Sequence, residues 1–197
     1  MSSAPSSPPD LAAAVRAVLL DPDEALGLDV HGRKDAAVLV PLYVADGQLH
    51  VVFTKRRDDL SRHAGEISFP GGRPEDEDAD LRATALREAH EEIGLDPEHV
   101  ELLGALIPTP TIATNYAVYP YVGFIEPGYA WVPSEGEVDQ ILEFAVPTLR
   151  ASFGRRRLVR RGVPFRTDTY EIDEHLIWGA TARMLGDLLE RLPPELG

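Results

Sequence analysis

The sequence predicts an α/β sandwich with a mixed sheet held between helical layers. Three stretches predict it. Ala36 to Val44, AAVLVPLYV, is a nearly continuous apolar run of the kind buried on both faces of a sheet. Asp80 to Ile93 reads as a helix with an apolar strip at Leu86, Ala89 and Ile93 and an acidic face beside it. Ile177 to Leu192 reads as a closing helix whose Leu185, Leu188, Leu189 and Leu192 pack on the sheet. Strands surround these two main helices, and that order of elements requires layers on both faces.

Taken from the start, Met1 to Asp10 is rich in Ser and Pro, with no basic region or apolar core. It reads as a disordered tail rather than a signal peptide, and residues 11–197 read as one domain. Leu11, Val15, Val18 and Leu19 space a short helix over 11–20, which Asp21-Pro22 ends. After the apolar strand, Asp46-Gly47 makes a hairpin turn and Gln48 to Thr54 returns. That strand delivers Lys55, Arg56 and Arg57 to the edge of a cleft. Beyond the acidic helix, Val100 to Ile107 reads as a strand broken by Pro108-Thr109-Pro110-Thr111. Ala117 to Ile125 is the next strand, with Tyr116, Tyr119 and Tyr121 along it as core edge or as a ligand platform. Val138 to Val146 is another strand, and Pro147 to Ser152 a helical turn. The basic run Arg155-Arg156-Arg157, with Arg160 and Arg161, reads as an exposed strand, followed by a strand over Phe165 to Ile172.

Composition bounds the function. Hydrophobic residues at 44% and charged residues at 26% are globular values. The absence of cysteine removes disulfides, thiolate metal sites and a cysteine nucleophile. A net charge of −14 argues against non-specific nucleic-acid binding, and no apolar run is long enough to span a membrane. A cytoplasmic small-molecule enzyme is the expectation, with a homodimer left open.

The chemistry is concentrated in Gly65 to Leu95. At 100° per residue, Glu91 and Glu92 lie about 60° and 40° to either side of Glu88, so three carboxylates share one arc of the helix. Arg87, four residues before Glu91, can pair with it and orient it. Three carboxylates repel one another unless cations sit among them, and hard oxygen ligands suit Mg²⁺ or Mn²⁺. An acidic helix is by itself as consistent with a solvated face. Phe69-Pro70-Gly71-Gly72 changes that reading, because a glycine turn brings bare backbone groups against the start of the helix. His63 has no second histidine at ligand spacing, and His90 points away from Glu88.

These residues resemble the box of the Nudix hydrolases, G-x5-E-x7-R-E-U-x-E-E-x-G-U with U aliphatic. Arg87, Glu88, Ala89, Glu91, Glu92, Gly94 and Leu95 match; Asp78 replaces the first Glu, and eight residues separate it from Arg87, which leaves its role open. Upstream, Thr54, Arg56, Gly65 and the FPGG run match a second signature, that of the coenzyme A pyrophosphatase branch. Arg57 stands there for a serine, and Ser61 for an arginine that follows one step later at Arg62. Ile177 to Ala182 is similar to the last helix of that branch. The resemblance implies a Nudix α/β/α sandwich that cuts a phosphoanhydride with bound Mg²⁺ or Mn²⁺, the ions neutralising the diphosphate and lowering the pKa of a water. It implies Glu88, Glu91, Glu92 and the Gly71 carbonyl as metal ligands, and Arg56, Thr54, Gly71 and Gly72 as substrate contacts, with Arg56 gripping the pyrophosphate. Coenzyme A or an acyl-CoA is the implied substrate, with ADP-ribose or a dinucleotide such as NADH the alternative, and a non-catalytic binding module behind both.

A base must take the proton from the attacking water, and glutamates holding metal are poor candidates. The loop Pro133 to Glu137, flexible at Gly136, carries two carboxylates. Glu137 adjoins a buried strand and is better fixed than Glu135, and the resemblance agrees. The expected catalytic set is therefore Glu91, Glu137 and Arg87, with the reading that both loop acids merely solvate the loop left open.

Overall fold

The computed structural model describes residues 8–60, 64–111, 114–160 and 162–196. The elements run α1 (Pro8–Arg16), α2 (Pro22–Leu26), β1 (Lys34–Ala45), β2 (Gln48–Arg56), β3 (Ile67–Ser68), β4 (Gly71–Gly72), α3 (Leu81–Ile93), β5 (Glu101–Ala105), β6 (Thr109–Pro110), β7 (Tyr116–Phe124), β8 (Val138–Ala145), α4 (Val146–Ala151), β9 (Phe153–Arg160), β10 (Val163–Ile172), β11 (His175–Trp178) and α5 (Gly179–Arg191).

The central sheet runs β3-β2-β1-β7-β5, with β4 also on β1, β6 on β7 and β8 on β2. Its β1–β7 pair is parallel and the others antiparallel, so the sheet is mixed as expected. Strand β1 shows why it is central. Val38, Val40 and Leu42 face one cluster with α1 and α5; Ala37, Leu39 and Tyr43 face a second with α3. Successive side chains point to opposite faces, so a strand apolar at nearly every position must be covered on both.

Several boundaries differ from the sequence reading. The first helix begins at Pro8, earlier than expected, and residues 1–7 of the expected tail lie outside the described residues. Asp21-Pro22 also opens α2: Asp21 accepts from the Asp23 amide as N-cap and proline takes the first turn, where its missing donor costs nothing. Strand β5 ends at Ala105, ahead of the expected break at Pro108 to Thr111, and Thr109–Pro110 pairs with β7 as β6. The closing helix starts at Gly179, because Ile177 and Trp178 end β11. The basic run lies on β9, which forms with β10 and β11 a separate three-stranded antiparallel sheet that the sequence did not distinguish.

Candidate active site

Helix α3 forms where its signals are local. Asp80 accepts from the Ala83 amide at the N-cap, Ala85, Ala89 and Ile93 are buried, and Gly94 closes it at φ 71° in the left-handed region. The adjoining face, with Glu88 and Glu92, lies against β4. A Cβ on Gly72 would sit 2.3 Å from Glu88 Oε1, and one on Gly71 would sit 2.3 Å from the Ala37 carbonyl oxygen. Only glycines let strand, sheet and acidic helix approach this closely. The Gly71 amide in turn donates to Glu92 Oε2 at 3.3 Å.

Two arginines divide the carboxylates. Arg87 meets Glu88 at 3.2 Å and, as expected, Glu91 at 3.1 Å. It is held for this by Asp78, which takes its Nε at 2.9 Å and its Nη2 at 3.1 Å. Asp78 also accepts from the Thr84 hydroxyl and the Glu75 amide, and the guanidinium holds its carboxyl well below the usual range. The open question about Asp78 is thus answered by geometry: it anchors Arg87. Arg56 lies 3.7 Å from Glu92 and 3.3 Å from Glu137, while its buried Nε makes no hydrogen bond among the described residues.

Electrostatics mark the cluster as short of positive charge. Burial raises the Glu88 carboxyl and pushes Glu92 up to about 8, with Glu137 among the neighbouring charges acting on both. Among the described residues no three acidic or histidine side chains converge on a metal-holding point, because the carboxylates are turned onto the arginines. The donor set is nonetheless all oxygen, crowded and under-neutralised, which fits a hard divalent cation.

The loop before β8 is strapped to the end of α3 rather than free. Tyr129 Oη donates to the Gly94 carbonyl at 3.0 Å and accepts from the Asp96 amide at 2.8 Å. The Val132 and Ser134 amides donate to the Ile93 and Glu92 carbonyls. Carbonyls at the helix end thereby gain partners. The Arg57 guanidinium then holds the Glu135 carbonyl at 2.7 Å and the Arg57 amide holds that of Glu137, which leaves the Glu137 side chain beside Arg56. Of the two loop acids, Glu137 is the one brought to the cluster.

Thr54 is a correction. Expected to touch substrate, it is buried, and its hydroxyl bonds Ser68 on β3. Its place in the pattern is to pin the strand leading to Phe69. His63, Ser61 and Arg62 lie outside the described residues. What the sequence missed is a cavity of about 690 Å³ between the two sheets and the start of α5, which opens on Arg56, Gly71 and Gly72 and is walled by Tyr116, Phe165 and Trp178. The sequence signals near it were Arg56 at a cleft edge, Tyr116 on a possible ligand platform, and the Trp178 neighbourhood.

An acidic helix packed on a glycine pair, beside an arginine and a cavity in an α/β/α sandwich, is an arrangement able to present hard cations to a phosphate-bearing ligand. The NUDIX domain family matches residues 33–161, well over half of the chain, and the protein belongs to that family. The chain is 39% identical over 162 residues to the uncharacterized Nudix hydrolase NudL of Enterobacter sp. (strain 638), covering 81% of this chain and 83% of that protein. It is 38% identical over 160 residues to NudL of Salmonella newport (strain SL254), covering 79% and 81%. The fold is shared with a MutT/nudix family protein from Enterococcus faecalis (TM-score 0.56, 15% identity, covering 86% of this chain and 68% of that one). It is also shared with the Nudix hydrolase RenU from M. smegmatis (TM-score 0.51, 19% identity, covering 62% and 76%). The protein is a hydrolase of this family. Among its described residues no helix is long and apolar enough to cross a membrane.

Proposed function

We propose that the protein hydrolyses the pyrophosphate bond of coenzyme A or an acyl-CoA, giving 3′,5′-ADP and (acyl-)4′-phosphopantetheine. The observation that carries this reading is Arg56. The arginine of the upstream signature stands between Glu92 and Glu137, at the mouth of a cavity of about 690 Å³. That volume lies within the range of sites for sizeable ligands. Glu88, Glu91, Glu92 and the Gly71 carbonyl would hold Mg²⁺ or Mn²⁺, which supplies charge neutralisation at the diphosphate and a more acidic water. Arg56 grips a phosphoryl oxygen through a charge-assisted contact. Arg87, fixed by Asp78, keeps Glu88 and Glu91 aimed; it is a positioning residue. Glu137 accepts the proton of the attacking water. The water oxygen forms the new P–O bond, and the P–O bond to the bridging oxygen breaks with its electron pair leaving on the second phosphate.

Rates on coenzyme A, ADP-ribose and NADH, measured side by side with each metal, test the substrate. Coenzyme A should exceed ADP-ribose in kcat/KM by about tenfold or more, or about 1.4 kcal/mol. Equal values would leave the family's chemistry and remove the case for this branch.

A further inference from the structure

The chain carries a net charge of −14, yet the charged side chains lining the cavity among the described residues are Arg56, Arg166 and Arg183 against Glu66 alone. Arg56 is engaged by Glu92 and Glu137. Arg183, on the first turns of α5, donates to the Pro110 carbonyl and pairs with no carboxylate among the described residues. Arg166 stands directly opposite Arg157 in the β9–β10 ladder. Residues opposed in an antiparallel pair share a face with their Cβ atoms about 5 Å apart, and like charges placed so destabilise the hairpin. The neighbouring arginines on the same hairpin are neutralised, Arg155 by Asp168 opposite it at 2.7 Å and Arg156 by Glu171 further along β10. Arg157 and Arg166 have no such partner among the described residues. The fold thus places Arg166 and Arg183, neither paired with a carboxylate among the described residues, along the lining of one cavity in an otherwise acidic protein. On the face of β10 opposite to Arg166, Phe165 and Trp178 pack with ring centroids 6.0 Å apart, an apolar surface suited to a nucleobase.

We propose that Arg166 and Arg183, with Arg157 behind Arg166, form a phosphomonoester subsite that reads the 3′-phosphate of a coenzyme A-type substrate. A dianionic phosphate between these groups relieves the Arg157–Arg166 repulsion and gives Arg183 an anionic partner. A planar guanidinium donates two parallel hydrogen bonds to phosphate oxygens, which a lysine cannot. The subsite makes the second sheet and α5 the determinants of specificity, apart from the acidic helix that carries the chemistry. This inference rests on the coenzyme A reading of the site.

The test has two arms. In the first, kcat/KM is compared for coenzyme A and dephospho-coenzyme A, which differ only in the 3′-phosphate. The wild type should favour coenzyme A by about tenfold or more, the scale of a charge-assisted contact. Arg166→Gln and Arg183→Gln should each bring that ratio toward unity, mainly through KM. A wild-type ratio near one, or variants that lose both substrates equally, overturns the subsite. In the second arm, calorimetry compares 3′,5′-ADP with 5′-AMP and needs no turnover. Tighter binding of 3′,5′-ADP, lost in Arg166→Gln, supports the subsite even where coenzyme A proves a poor substrate; that outcome sinks the substrate reading alone. Equal binding of the two nucleotides sinks the subsite. Arg166 is exposed and has no ion-pair partner to lose among the described residues, so its variant carries the test should Arg183→Gln fold poorly.

Discussion

Glu91 and Glu92 adjoin in sequence and meet opposite environments. The Glu91 side chain is 56% exposed and pairs with Arg87, whereas that of Glu92 is 8% exposed. Burial pushes the Glu92 carboxyl up to about 8 against the pull of Arg56. A glutamate in an unfolded chain titrates near about 4.3. Between those values the folded, metal-free protein keeps a proton that the unfolded chain has released. The stability this contributes is fully present below the unfolded value and is lost as pH rises through about 8. In EDTA, the wild-type unfolding temperature should therefore fall as pH climbs from about 6 to 8.5, and Glu92→Gln should flatten that slope. Parallel wild-type and variant profiles would sink the idea. A divalent cation needs the carboxylate form, so its stabilising effect should grow with pH. Glu137 poses the catalytic question at the same scale. Glu137→Gln is expected to lower kcat by about 10²-fold with Mn²⁺ affinity held within a few-fold. Glu135 acts on Arg57, through its backbone carbonyl and its charge, and not on Glu88 or Glu92, so Glu135→Gln should leave kcat nearly unchanged. The reverse pattern would move the base by two residues.

At the scale of the element, α3 works because Arg87 is fixed from behind. The Asp78 side chain is 5% exposed and accepts two bonds from Arg87, one from Thr84 and one from a backbone amide. Asp78→Asn turns an amide NH₂ toward the guanidinium and leaves a largely buried cation with only Glu88 and Glu91 as counter-charges among the described residues. That should cost about 3 kcal/mol in urea unfolding and lower kcat through misplaced Glu88 and Glu91. Thr84→Val, losing one hydrogen bond, should cost about 1 kcal/mol. An Asp78→Asn variant no less stable than Thr84→Val would show that the clamp is ornamental. Elements like α3 were legible because their signals are local: Asp80 at one end, Gly94 at the other, an apolar strip between. The shared arc of the three acids followed from the same helical spacing, whereas Arg56 was singled out by its match to the upstream signature. The Tyr129 strap was not, since its bond to Gly94 joins residues 35 apart and nothing in a tyrosine's neighbours announces it. Thr54 was misread because a motif position records that a residue matters, not which way its hydroxyl points. The start of α5 was misplaced because Ile177 is as apolar and buried as the helix leucines after it, so strand end and helix period coincide.

At the scale of the molecule, the second sheet bears on both the substrate and the core. Its Tyr170, Ile172 and Ile177 share one buried cluster with Val51 and Phe53 of the central sheet and with Leu185 and Leu188 of α5. Its other residues, Phe165, Arg166 and Thr167, wall the cavity. A sheet tied in this way should not open by itself, because separating it would expose apolar surface on all three layers. Ile177→Ala tests this, since Ile177 is 1% exposed and sits where β11 meets α5. The substitution should cost about 2–5 kcal/mol, from lost burial plus the cavity left behind. The loss is expected as a lower midpoint of one cooperative transition, with amide protection in residues 153–172 falling in step with that of β1. Native-state hydrogen exchange reads the distinction directly. If amides in residues 153–172 exchange well below the global unfolding free energy while β1 stays protected, the second sheet opens by itself. The cavity wall would then be a lid over the site rather than part of the core, and substrate entry would pass through its opening.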